Sequence, residues 1–449
     1  MELHMKKTLF STIILAISFL IVSCGNNQAA FSEHSNSSNG ACMHYYKTNV
    51  NKKATCFQSG VTLYTCSKCG DSYEKIVWEE HKITDNKCSV CDALIAENLE
   101  FEISDDGKTY SVAGIGKCNS TNIIIPTEYN NMPIVSIGSN AFSKNESLQY
   151  ITIPDGVKSI QGEAFQNCTS LIGIRIPNSV SSIGSRAFRR CSSLTNIVLP
   201  DKIKTVKSEL FENCDSLTNV TIPNSVTIIE HSAFDGCNSL TNVTIPNSVT
   251  SIGAGAFDGC DSLLRLTIPE GVTSIEANAF RQCDSLTHLS ISASVKSIAD
   301  TSFNYCDSLI SIEVADNNST YHSYQNCLID TKKKILIRGC QNSTIPTDGS
   351  VTSIGAFAFT DCKNLYQITI PDGITSIGAY AFNGSSLNQI VIPNSVTTIG
   401  YEIFGTNIVY AYCEATSKPD NWDSYWTWFP DKVYWGSEWE YVDGVPVKK

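Results

Sequence analysis

The chain has no basic excess: 32 lysines and arginines stand against 44 aspartates and glutamates. That balance argues against a nucleic-acid partner, whose phosphates call for a basic surface. A glycine-rich phosphate loop is also missing, as are an activated nucleophile and paired acids facing a cleft, so no enzyme class is indicated. Beyond the first 22 residues there is no second apolar run long enough to suggest a membrane span.

The first residues are more telling. Lys6 and Lys7 precede an apolar run from Leu9 to Val22, followed by Ser23 and Cys24. A basic start and an apolar stretch of that length describe a secretory signal. Ile21-Val22-Ser23-Cys24 resembles a bacterial lipobox, which implies a signal peptide over 1–23 and lipidation at Cys24. The Ser/Asn-rich stretch 24–40 reads as a flexible tether behind that anchor. The expectation is an exported lipoprotein held at a membrane by its lipid, at the cell surface, and on an outer membrane if the cell has one.

Most of the remainder is one phrase rewritten. Leu217–Thr227 recurs unchanged at Leu240–Thr250, 23 residues on, and Phe142, Phe165, Phe188, Phe211, Phe234, Phe257, Phe280 and Phe303 keep the same step. Phe359, Phe382 and Phe404 resume the series after a gap. A period of this length marks a solenoid, in which each copy leaves an apolar face that only its neighbours can cover. Within a copy, L-T-N-V-T-I-P alternates with period two, predicting a short strand with Leu240, Val243 and Ile245 inward and Asn242 and Thr244 outward. The proline ends the strand and a turn follows. Val249 and Ile252 supply a second inward pair, and Ala256-Phe257 predicts a short helical or 3₁₀ corner. A cysteine three residues after most of these phenylalanines forms a column, read as a buried ladder of reduced thiols; a chain of disulfides is the competing possibility.

The unit L-x-x-I-x-I-P-x-x-V-x-x-I-G-x-x-A-F-x-x-C resembles the BspA-type leucine-rich repeat of bacterial surface proteins. The resemblance implies a mainly β repeat solenoid with a parallel sheet, spanning 97–411, and a role in attachment to host proteins or other cells. The extra residues at 315–350 interrupt it, with Leu328-Ile329 and Ile335–Ile337 suggesting an added hairpin. Residues 412–449, which hold five of the six tryptophans, read as a terminal cap, with an aromatic binding platform as the alternative.

Between tether and solenoid, 41–96 is rich in cysteine and histidine. Cys66-x₂-Cys69 and Cys88-x₂-Cys91, separated by 18 residues, have zinc-ribbon spacing, since two such turns can offer four thiolates to one tetrahedral ion. Cys42, His44, Cys56 and His81 are further candidate ligands. Structural zinc is expected; disulfides among the six cysteines of this stretch are the alternative. Along the solenoid, Asn196, Asn219, Thr221, Asn242, Thr244, Arg265, Thr267 and His288 form the candidate binding face, flat and mostly neutral. The leading functional expectation is a cell-surface recognition protein binding a protein or glycan on host or other cells. A spacer or surface-layer protein displaying the zinc module is the alternative, with a glycan-acting enzyme behind both.

Overall fold

The computed structural model describes residues 46–52, 54–56, 60–66, 72–407 and 409–449. The chain forms an N-terminal unit ending at Glu80 and a larger unit, His81–Lys449. The signal, the Cys24 lipidation site and the tether lie outside the described residues. In the first unit, Tyr46–Lys52, Gly60–Cys66 and Ser72–Val77 form a three-stranded antiparallel sheet.

The second unit is a stack of coils, most of which give a short strand to each of two parallel faces, the first and second sheets, each face made of several hydrogen-bonded groups. In the first sheet Asn196–Val198 pairs with Asn219–Thr221, and Arg265–Ile268 with His288–Ile291, both in a 23-residue register. In the second, two-residue strands such as Ser251–Ile252 and Ser274–Ile275 align in the same way. The alternation places Leu240 and Ile245 in the core and Asn242 and Thr244 in solvent, with Val243 half-buried against the core. Each proline opens a tight turn, as in the 3.0 Å bond from the Val226 amide to the Pro223 carbonyl.

The corners are not helical. From Phe142 to Phe280 the residues two before and two after each phenylalanine sit in the left-handed region, for example Glu163 and Asn167 at φ 60° and 59°, or Glu209 and Asn213 at 56° and 57°. A left-handed residue at every fourth position prevents a helical turn from closing. The amides bond instead to the next coil, Phe142 to Ala164, Phe165 to Ala187 and Phe188 to Leu210, each at 2.8–3.0 Å. The corner is therefore a third coil-to-coil ladder. Among the described residues the only helices are two 3₁₀ turns, Pro430–Lys432 and Gly436–Glu438, near the C-terminus.

Inside, the phenylalanines stack. Consecutive rings from Phe142 to Phe303 lie 5.0–5.6 Å apart and within 15° of parallel. Beside them runs the cysteine column, in which each thiol donates to the phenylalanine carbonyl one coil back. Cys168 bonds Phe142 at 3.0 Å, Cys191 bonds Phe165 at 3.1 Å, and Cys214 bonds Phe188 at 3.2 Å. Burial pushes the Cys168 thiol up to about 12 and raises those of Cys191, Cys214, Cys237 and Cys260 as well, so these thiols serve as small, inert fillers. Where the column lacks cysteine, Ser385 bonds the Phe382 carbonyl of its own coil at 2.7 Å.

Both ends of the array differ from its middle. Leu94–Ile95 pairs in parallel with Asn122–Ile124, so the sheet of the first coils runs on into the hairpin Ile83–Thr84 and Lys87–Cys88. Residues 81–96, grouped with the Cys/His module by composition, are thus paired into the solenoid. At the other end Trp426 continues the ring stack 6.1 Å from Phe404, and Trp422 and Trp426 are buried in the same core.

The interruption holds three strands. Tyr321–Tyr324, Cys327–Asp330 and Ile335–Arg338 form an antiparallel meander, and the last joins the second parallel sheet beside Ser353–Ile354. The hairpin expected from Leu328-Ile329 and Ile335–Ile337 is present, with Tyr321–Tyr324 as an additional strand. Gly339 takes the phenylalanine position of this coil. Its amide bonds the Ala358 carbonyl at 2.8 Å, as a phenylalanine amide does elsewhere, and a Cβ there would overlap the Phe359 ring.

Candidate metal centre and recognition face

Three metal-ligating side chains converge at the start of the second unit. Asp85 and Asn86, both at positive φ, make the two-residue turn that folds Ile83–Thr84 back onto Lys87–Cys88. The chain turns again at once: the Asp92 amide bonds the Cys88 carbonyl at 3.0 Å and the Cys88 amide bonds Ala93 at 2.8 Å. This knuckle presents Cys88 and Cys91 on one side, toward His81. The ligand atoms of His81, Cys88 and Cys91 all lie within 4.8 Å of one another. His81 Nδ1 is 3.4 Å from Cys91 Sγ, and Nε2 is 2.8 Å from the hydroxyl of Thr152.

This donor set suits zinc. Bond lengths of about 2.0 Å to nitrogen and 2.3 Å to sulfur put tetrahedral ligands roughly 3.5 Å apart, close to the His81–Cys91 separation. The Thr152 hydroxyl is placed to receive the Nε2 proton, which orients the ring and leaves the Nδ1 lone pair for the metal. At Cys88 burial acts to raise the thiol pKa, but the Val90 amide, His81, and the Cys91 amide and thiol outweigh it and bring the group down to about 6. A thiol so placed is ready to be a thiolate ligand.

Of the residues singled out by spacing, Cys88 and Cys91 come together as expected, with His81 from the wider candidate set. Cys42, His44 and Cys69 lie outside the described residues; Cys66 ends the strand Gly60–Cys66. Cys56 is a buried thiol of the first unit. The spacing of C-x₂-C pairs carries no information about Thr152, which is 71 residues from His81 in sequence.

The second candidate is the outward side of the first parallel sheet. Asn219, Asn242, Thr244, Arg265 and Thr267 are exposed, and Asn196, Thr221 and His288 are half-buried. They fall on two repeat positions: Asn196, Asn219, Asn242, Arg265 and His288 on one, where Asn196 pairs Asn219, Asn219 pairs Asn242 and Arg265 pairs His288, and Thr221, Thr244 and Thr267 on the other. A relay holds the first column in place. Thr218 donates to the Thr195 carbonyl one coil back at 2.9 Å and accepts the Asn219 amide at 3.0 Å; Asn196 bonds Thr195 at 2.8 Å in the same manner. The carboxamides are thereby fixed before any partner arrives, which lowers the ordering cost of binding. Two histidines of the regular coils are held by neighbours: His288 Nδ1 lies 2.8 Å from Thr287 Oγ1, and His231 Nδ1 donates to the Ala254 carbonyl at 2.8 Å.

The repeat geometry meets its family here. The model of the BspA type leucine-rich repeat region matches residues 115–241, 227–335 and 337–416 in six copies. The chain belongs to the BspA-type leucine-rich repeat family. A leucine-rich cell surface protein from Faecalibacterium prausnitzii is 28% identical over 72% of this chain and 89% of its own, with a TM-score of 0.51. A leucine-rich repeat protein from Bacteroides ovatus is 22% identical, covering 76% of this chain and 99% of its own at a TM-score of 0.45. The pneumococcal vaccine antigen PcpA is 18% identical, covering 71% and 81% at 0.41. Among curated proteins none matches the chain. BspA-type solenoids are typically non-catalytic and usually exported to the cell surface. Among the described residues, no helix is long and apolar enough to cross a membrane.

Proposed function

We propose that this protein is a lipid-anchored, adhesin-like recognition protein whose solenoid binds a protein or glycan on host or other cells. The observation that carries the reading is the pre-ordered Asn/Thr face: two in-register columns of hydrogen-bonding side chains, tied from coil to coil and nearly free of charge. Such a face makes many weak polar contacts at once, and a solenoid extends it over several coils. The family's surface location and the relative from F. prausnitzii support the setting. Cys24 is the proposed attachment point for the lipid.

The Cys/His cluster is a structural zinc site in this reading. Three ligands come from His81, Cys88 and Cys91, and a closed structural site of this kind takes a fourth protein donor. Cobalt substitution tests it. Cys88→Ser or Cys91→Ser is expected to abolish the thiolate-to-cobalt absorbance, whereas Cys214→Ser in the ladder leaves it intact; equal spectra in all three would refute the site. Recognition is tested by screening the full chain against extracellular-matrix proteins, mucin-type glycans and whole bacterial cells. Saturable binding to a panel member supports it, and absence of binding throughout favours a spacer instead.

A further inference from the structure

In the regular coils the face just described is carried by short paired strands, with Asn242 joined to Asn219 by a single bridge. At the interruption neither Thr344–Pro346 nor Gln367–Thr369, the segments that follow the strand path of the first sheet, belongs to any sheet. The meander of the insertion stands beside them. Its first turn is a two-residue loop in which Gln325 and Asn326 both have positive φ, 50° and 60°. This conformation suits asparagine and glycine, and glutamine adopts it at a cost. The turn is nonetheless pinned: Ser343 Oγ donates to the Asn326 carbonyl at 2.8 Å and receives the Cys340 amide at 2.9 Å, and Cys327 Sγ lies 3.5 Å from the Thr344 carbonyl.

Between the pinned turn and the broken sheet is a cleft of about 350 Å³. Tyr324, nearly half exposed, forms one rim with Gln325; Gln367 and Thr369 form the other, and Thr344 and Thr347 lie between. Ile345, Pro346 and Pro371 supply apolar surface. No charged side chain lines it among the described residues.

We propose that this cleft binds a neutral saccharide unit. A phosphate, sulfate or carboxylate ligand would find no cation to pair with, and a purely apolar one would leave amides and hydroxyls unpaired. Carboxamides and hydroxyls both donate and accept, as a ring of sugar hydroxyls does. The exposed Tyr324 ring offers a flat apolar surface for the C–H face of a pyranose, and the volume is that of a small-ligand pocket. The proposal deepens the recognition reading and rests on it, assigning the ligand class to one site rather than to the whole face.

The test is saturation-transfer NMR on the full chain with glucose, galactose, mannose, N-acetylglucosamine and, as a peptide control, tetraglycine. Transfer to at least one sugar and none to the peptide is expected. Tyr324→Ala and Gln367→Ala should each weaken that binding by about tenfold or more. Tyr441→Ala, at another exposed tyrosine, should leave it unchanged. Both tested side chains are exposed, so a fold defect is not expected, and unaltered thermal unfolding checks this. No transfer to any sugar, transfer to the peptide alone, or transfer undiminished in both variants would overturn the proposal. Asn219→Arg separates the two readings, because it should weaken capture of a macromolecule by the strand face and leave sugar transfer intact. Sugar transfer absent from the parent chain while capture persists would sink the cleft alone; capture absent from the parent chain, or undiminished in Asn219→Arg, with sugar transfer retained would sink only the wider face.

Discussion

The coils from Phe142 to Phe303 and the segment from Val314 to Val351 follow the same stacked path but use their side chains differently. In the regular coils nearly everything is spent on the next copy: rings on rings, thiols on carbonyls, threonine hydroxyls on the coil before. In the interruption the ring position is a glycine, a three-stranded meander is added, and a cleft opens beside its first turn. Repetition yields a scaffold with a uniform face. Departure from it yields a shaped site.

The sharpest way to break that contrast is to remove a ring from the regular stack. Phe234→Ala is expected to cost roughly 3–5 kcal/mol in denaturant unfolding, because a fully buried ring between two neighbours leaves a cavity. In the interruption the reverse change is the harmful one. Gly339→Ala should destabilise by roughly 1–3 kcal/mol, since the added methyl overlaps the Phe359 ring. A smaller effect is expected in the ladder, where Cys214→Ala removes a sulfur and the bond to Phe188 and should cost about 1–2 kcal/mol, while Cys214→Ser should recover part of it by restoring a donor.

The smallest effect is electrostatic and belongs to the edge of the regular coils. Arg186 and Glu209, 23 residues apart, form a two-bond pair at 2.8 Å, joined by Arg189 and Glu212. The Arg186 hydrogen bonds, against some desolvation, hold the Glu209 carboxyl down at about 2. A carboxylate with a depressed folded pKa contributes above its unfolded value of about 4.3 and loses that contribution as pH falls toward 2. Melting temperatures from pH 5 to pH 2.5 should therefore fall less steeply in Glu209→Gln than in the parent chain.

How much of this was readable beforehand differs between features for physical reasons. The solenoid was legible because its core is periodic: Phe165, Phe188 and Phe211 announce a register that the pairing of Asn196 with Asn219 repeats. The corners were misread because A-F-x-x-C is locally compatible with a helical turn. What excludes it is the set of bonds to the neighbouring coil, which favours left-handed Glu163 and Asn167 and has no local signature. Cysteine spacing found Cys88 and Cys91 but ranked His81 behind Cys66 and Cys69, since spacing cannot see that Thr152 orients the imidazole. The cleft was missed for a similar reason. Tyr324 and Gln367 are far apart in sequence, and the strand Tyr321–Tyr324 was hidden in polar residues, although β-favouring tyrosines stand at both its ends and Asn326 marks the turn.

The central claim is that the outward face of the first sheet, not merely the stack beneath it, carries recognition. Its most direct test is the affinity of the full chain for extracellular-matrix proteins and mucin-type glycans, compared with the double variant Asn219→Arg, Thr244→Arg, whose side chains replace exposed neutral groups. Saturable binding that falls by about tenfold or more, with an unchanged melting temperature, is the predicted result. Binding of equal strength in both proteins would place recognition elsewhere on the molecule and contradict the account.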